Sequence, residues 1–184
     1  MLEAFSKNID KSTLFIKKIK HLLIWIKRKT ELNEVYFFQN TQDKSKPYVM
    51  IGEIYYADLG TNVGAEIDKQ RPVLIFQNDD RYIRQSNLVF IFPISTNIKP
   101  NPYKVIIKPK DITDNDGICV SSIIIQQAKS ISKNRLFKYK GKLSDIKLVE
   151  ILYKFNRFIY KNNPFLAEGD AQTIHGLDTA KSVI

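Results

Sequence analysis

The chain has 184 residues, 43% hydrophobic and 26% charged, which is enough for one domain with a sizeable core plus appendages. Its 29 lysines and arginines against 19 acids give a formal net charge of +10. Such a charge draws polyanions, nucleic acid first and anionic membrane second, although basic composition also serves solubility alone. A single cysteine, Cys119, excludes an internal disulfide and a cysteine-built zinc site, and suits a reducing, cytoplasmic compartment.

Residues 1–46 form the first segment. From Ser12 to about Leu32, Phe15, Ile19, Leu22, Leu23 and Ile26 recur at helical spacing and predict one apolar face. Lys17, Lys18, Lys20, Lys27, Arg28 and Lys29 fill the remainder, with Asp10 or Ser12 as cap. The uncharged run His21 to Ile26 is too short to span a bilayer, and no signal-peptide layout is present. Three roles compete for this helix: packing on the protein's own core or a dimer partner, lying on an anionic membrane surface, and adding a basic stripe for RNA. Glu31 to Gln39 either continues the helix or turns into an edge strand, and Asn40 to Pro47 reads as a polar linker.

Residues 47–161 form the second segment. Its short β-type runs are Tyr48 to Leu59, Pro72 to Gln77, Asn87 to Ser95, Tyr103 to Ile107, Gly117 to Ile125 and Ala128 to Ile131. Many short strands followed by one helix predict a small, strongly bent barrel, so the fold class is mainly β with helices. Cys119 reads as a small core hydrophobe of its strand, having no histidine near it in sequence. Asp111 to Asp116 reads as an acidic loop, and Asn134 to Phe137 as a turn or short helix. Ser144 to Tyr160 carries the last helix, with Ser144 as its cap. Residues 162–184 form a tail of small and polar residues, read as partly disordered or as a docking peptide.

Histidine chemistry has little support, because His21 lies on the first helix and His175 in the tail. Asp114 and Asp116 are a metal-binding option, but a solvated turn explains them more simply, so no metal and no cofactor is expected. Arginine, hydroxyls and isolated acids remain. They suffice for RNA, whose ribose 2′-OH is an internal nucleophile that needs alignment, charge neutralisation and management of two protons. Arg71 stands at the mouth of a strand beside a long loop, where its planar fork suits a phosphate; a plain surface arginine before a strand-initial proline is the alternative. Ser95 and Thr96 end the third strand, either bonding a 2′-OH or phosphate oxygen or capping the turn. Arg81, Tyr82, Arg84 and Gln85 offer stacking and phosphate contacts to a single strand, or form a solvated charged loop.

The ordered pieces GEIYYADL, Val63-Gly64-Ala65-Glu66, Arg71-Pro72-Val73-Leu74, Gln77-Asn78-Asp79, Pro93-Ile94-Ser95 and Val120 to Leu136 resemble the MazF/PemK toxin endoribonucleases from about Gly52 to Tyr160. The resemblance implies an SH3-like β-barrel with a C-terminal helix, here with an added N-terminal amphipathic helix. It also implies a homodimer that cuts single-stranded RNA without a metal, leaving 2′,3′-cyclic phosphate and 5′-hydroxyl ends. The family's catalytic arginine falls on Arg71, its threonine on Ser95 beside Thr96, and its loop glutamate on Glu66. Lys69, Gln70, Asn78, Arg81, Tyr82, Arg84 and Gln127 are the expected RNA contacts. An acidic antitoxin is the expected protein partner. A catalytically weak RNA-binding module on the same fold is the alternative, since Ser95 keeps the hydroxyl but loses the stiffening methyl.

Overall fold

A computed structural model describes residues 2–41, 48–77 and 84–160, with side chains assigned in all but 2–10 and 39–41. The linker 42–47, Asn78, Arg81, Tyr82 and the tail 162–184 lie outside the described residues. The elements are α1 (Leu2–Thr41), β1 (Glu53–Asp58), β2 (Gln70–Ile75), β3 (Leu88–Ser95), β4 (Lys104–Ile107), β5 (Ile112–Thr113), β6 (Ser121–Ile124), β7 (Lys129–Ser132), β8 (Leu136–Leu143) and α2 (Asp145–Tyr160).

All eight strands join one curled antiparallel sheet in the order β4-β6-β3-β2-β1-β8-β5, with β7 also on β3. β3 serves two neighbours on one edge: Leu88 to Ile91 pair with β7, and Ile94 and Ser95 pair with β6. Pro93, which has no N–H to give, falls where that edge changes partner, so a proline is tolerated inside a central strand.

The central strands are buried on both faces, which is why PVLIF and VFIFPI read as unbroken apolar runs rather than alternating ones. Leu74, Phe92 and Ile94 join Ile54, Ile123 and Ile151 in one core. Val73, Ile75, Val89 and Ile91 join Ala57, Leu59 and Ile131 in the other. α2 covers the first core through Ile151, Leu148 and Phe155, the last ring meeting Phe76, Phe90 and Phe92 at centroid distances of 5.2 to 6.4 Å. Such ring pairs stabilise beyond their area, so this cluster fixes where α2 sits.

Several expectations need correction. The stretch read as a turn or short helix from Asn134 begins as a 3-10 turn, Lys133–Arg135, but then becomes the eight-residue strand β8. Its sequence LFKYKGKL has lysines on both sides of a pleat, and two of them answer Asp116: Lys138 Nζ at 2.9 Å and Lys140 Nζ at 3.1 Å. Those contacts hold the Asp116 carboxyl below its ordinary range. The acidic loop contains the short strand β5, and Asp111 accepts from the Lys108 N–H at 2.8 Å. Cys119 is exposed and not in a strand. β6 starts only at Ser121, and Asn115 brackets the backbone of Ile118 with both its amide atoms, so Ile118 takes the buried place and Cys119 faces out. α1 is longer than the predicted segment, and Glu31 to Gln39 continues it.

α1 also docks by a different face from the one its apolar pattern predicts. His21, Trp25 and Arg28 meet the sheet: Thr61 Oγ1 donates to the His21 carbonyl at 3.3 Å, Arg135 lies 5.2 Å over the Trp25 ring, and Arg28 Nε is 3.7 Å from Asp58. Phe15, Ile19, Leu22, Leu23 and Ile26 are all exposed.

Glu53 at the start of β1 accepts from the Met50 N–H at 2.8 Å and the Tyr55 hydroxyl at 3.1 Å. Burial first, and the Glu53 charge second, push the Tyr55 phenol from 10 up to about 12. The folded chain therefore keeps a proton that the unfolded chain loses, and stability falls as pH rises from about 10 to about 12. Burial and the Glu53 charge push the Tyr139 phenol up as well, so a spectrophotometric phenolate titration should show a late component that Tyr55→Phe reduces.

Candidate active site

β2 and β3 pair in register from Val73 opposite Pro93 to Ile75 opposite Ile91. The pairing ends at Val73 and Pro93; Arg71 lies two residues beyond Val73 on β2 and Ser95 two residues beyond Pro93 on β3, so both stand past the same end of the ladder. Alternation puts Arg71 on the face of Val73 and Ile75, and Ser95 on the face of Ile91 and Pro93. Both are half-buried.

Arg71 is anchored at one atom. Its Nε donates to the Asp68 carbonyl at 2.8 Å, which fixes the guanidinium plane and leaves the two Nη groups for an anion. Ser95 Oγ accepts from the Asn97 N–H at 3.2 Å, so it does cap the turn, and its own O–H proton stays available to donate. Ser122 Oγ donates to the carbonyls of Ser95 and Asn97, at 3.4 and 2.9 Å, and so braces that strand end. Thr96 is exposed on the turn that follows.

The loop between β1 and β2 is not slack. Gln127 accepts from the Ile67 N–H at 2.8 Å and donates to the Ala65 carbonyl at 3.0 Å, so both ends of its amide hold the loop that carries Glu66. Lys129 Nζ reaches the Ile67 carbonyl at 3.5 Å. Lys129, the register partner of Ile91, is a residue the sequence reading missed; the signal was a lysine interrupting the apolar run from Ala128 to Ile131. Burial lowers its pKa, Glu66 and Asp68 oppose the shift, and Arg135 and Arg71 add to it. Lys129 thus lies close enough to Arg71 and Arg135 to feel both charges, and to Glu66 and Asp68 as well.

Other expected contacts lie apart from this pair. Lys69 and Gln70 line a cleft of about 290 Å³ between α1 and the loop, together with His21, Trp25 and Arg28. Lys69 holds a positive φ of 68°, an uncommon conformation for a side chain of its size. Gln70 donates to Asp58 at 3.4 Å. Arg84 lies 5.1 Å over the Tyr48 ring. Among the described residues, no group of three or more histidine, cysteine, aspartate or glutamate side chains is arranged to hold a metal.

Replacing Gln127 by Leu should loosen the loop without unfolding the sheet. Two hydrogen bonds at about 1 kcal/mol each imply a melting temperature lower by roughly 4 to 8 °C in a chain of this size. Limited proteolysis should then cut between residues 60 and 69 several times faster, and unchanged cutting would show that Gln127 does not restrain the loop.

A family model described as the PemK-like, MazF-like toxin of type II toxin-antitoxin systems matches residues 50–159. The endoribonuclease MazF of Staphylococcus saprophyticus is 34% identical over 103 residues, 54% of this chain and 82% of that protein. The endoribonuclease MazF of Staphylococcus epidermidis is 32% identical over the same shares. Among solved structures, MazF from Deinococcus radiodurans superposes with a TM-score of 0.53 at 16% identity, over 61% of this chain and 97% of that one. An endoribonuclease in complex with its cognate antitoxin from mycobacterial species gives 0.51 at 19% identity, over 63% and 99%. At such identities the structural likeness speaks for the fold.

Proposed function

Because the chain belongs to the PemK/MazF family of type II toxin-antitoxin toxins, we propose that it is an endoribonuclease toxin that cuts single-stranded RNA without a metal, with Arg71 and Ser95 at the scissile phosphate. The observation that carries this reading is an anchored arginine and a strand-end hydroxyl that stand past the same end of the β2–β3 ladder.

The ribose 2′-OH attacks the adjacent phosphorus as its proton leaves; the new O–P bond forms while the bond to the 5′-oxygen breaks, giving a 2′,3′-cyclic phosphate and a 5′-hydroxyl once that oxygen takes up a proton. Arg71 neutralises the non-bridging oxygens with its Nη fork, and Lys129 adds charge behind it. Ser95 donates to the 2′ or phosphate oxygen and sets the line of attack. Glu66, on the clamped loop, is assigned the departing 2′ proton. Lys69 and Gln70, in the neighbouring cleft, are assigned to flanking nucleotides.

A homodimer and an acidic antitoxin complete the proposal. The formal charge of +10 suits such an antitoxin, and one structural relative was solved with its own. The site lies in the cytoplasm, where its RNA is.

The test is incubation with a long single-stranded RNA in excess EDTA, with sequencing of product ends. Cuts at a short recurring motif with cyclic-phosphate ends are expected. RNA binding without cutting by folded, antitoxin-free protein would replace the nuclease with a binding module.

A further inference from the structure

We propose that α1 binds the surface of an anionic bilayer, lying in its plane with the face formed by Phe15, Ile19, Leu22, Leu23 and Ile26 in the lipid. At 100° per residue these five side chains fill a sector of roughly 100°. All are open to solvent, Phe15 at 67%, Leu23 at 62% and Ile26 at 53%. The barrel holds the helix by His21, Trp25 and Arg28, whose mean direction is roughly 140° away round the axis, so the apolar sector points outward.

Charge decides what covers it. Between Lys11 and Thr30 there are six lysines and one arginine and no acid. Lys20 and Lys27 border one side of the sector, and Lys11, Lys18 and Lys29 the other, the placement from which lysine stems reach phosphate headgroups while the apolar ridge enters the acyl boundary. A second copy docked on the same face would set these lysine borders against each other with no acid to pair them. The face also holds Leu23 beside the Phe15, Ile19, Leu22 and Ile26 seam, broader than a two-helix coiled coil uses, and it is a ridge without walls to grip one partner. Lipid deforms to such a ridge. No helix among the described residues is long and apolar enough to cross a membrane, so the attachment is peripheral and reversible.

Nuclease-treated full-length chain should be floated with vesicles of 30% phosphatidylserine in phosphatidylcholine and with pure phosphatidylcholine, and its mass measured by light scattering. The bound fraction on anionic vesicles should exceed that on neutral ones at least tenfold and fall severalfold in 0.5 M salt. Ile19→Glu with Leu22→Glu should abolish flotation, and Lys18→Glu with Lys20→Glu should weaken it severalfold; both pairs lie at exposed positions, and circular dichroism checks that the helix persists. No flotation, or equal flotation on neutral vesicles, would overturn the proposal. So would a wild-type mass twice that of Ile19→Glu/Leu22→Glu without lipid binding, which would make this face a contact between copies.

Discussion

Arg71→Ala is expected to lower the single-turnover rate of RNA cleavage by at least about a hundredfold, the scale seen when one preorganised donor to a developing charge is removed. The fold should survive, because Arg71 sits half-buried at the end of β2 and, among the described residues, its side chain makes one hydrogen bond, to the Asp68 carbonyl. Losing that bond costs about 1 kcal/mol, a melting shift of roughly 2 to 4 °C. RNA affinity should drop only severalfold, since Lys129 and Arg135 keep the local field positive. Arg71→Lys separates charge from geometry. A lysine retains the charge but has neither the Nε that fixes the plane nor the fork, so it should recover binding and little of the rate. Cleavage by Arg71→Ala within tenfold of wild type would remove Arg71 from the chemistry and leave the site to be sought elsewhere.

The part of this site that was legible in the sequence is the part built from long, regular strands. Pro72 to Gln77 and Asn87 to Ser95 are apolar runs whose ends fall close to β2 and β3, and Arg71 and Ser95 mark those ends in plain view. The role of Gln127 in clamping the loop was not legible, because its two hydrogen bonds reach residues about sixty positions away. Lys129 was hidden for a related reason: its meaning depends on a pairing with β3 that no local pattern contains. On α1 the periodicity correctly marked an apolar face, but periodicity records only that a face exists. The contacts that dock the helix, Trp25 against Arg135 and Arg28 toward Asp58, are single polar and aromatic pairs rather than a stripe.

β8 was missed because its stability comes from neighbours rather than from its own composition, and a single substitution should expose this. Gly141 has φ +125°, and a Cβ there would lie 2.6 Å from Ile112 Cγ2, 2.7 Å from the Thr113 carbonyl oxygen and 3.2 Å from that of Asp114. The β1 ladder slips at this point, from Gly141 opposite Ile54 to Tyr139 opposite Tyr55, which leaves Lys140 as the extra residue of a bulge. That bulge carries the Lys140 ammonium to the Asp116 carbonyl at 2.6 Å. Gly141→Ala therefore combines backbone strain with a clash against backbone atoms that cannot rotate away, and an expected loss of about 3 kcal/mol or more follows. In thermal denaturation this is a fall of roughly 6 to 12 °C. Gly64→Ala supplies the comparison: its φ is +62° but nothing lies within 4 Å of the added carbon, so only the strain remains, about 1 kcal/mol. If the two variants melted together, the packing of β5 on β8 would contribute nothing to closing this edge of the sheet, and the lysine-rich strand would owe its place to β1 alone.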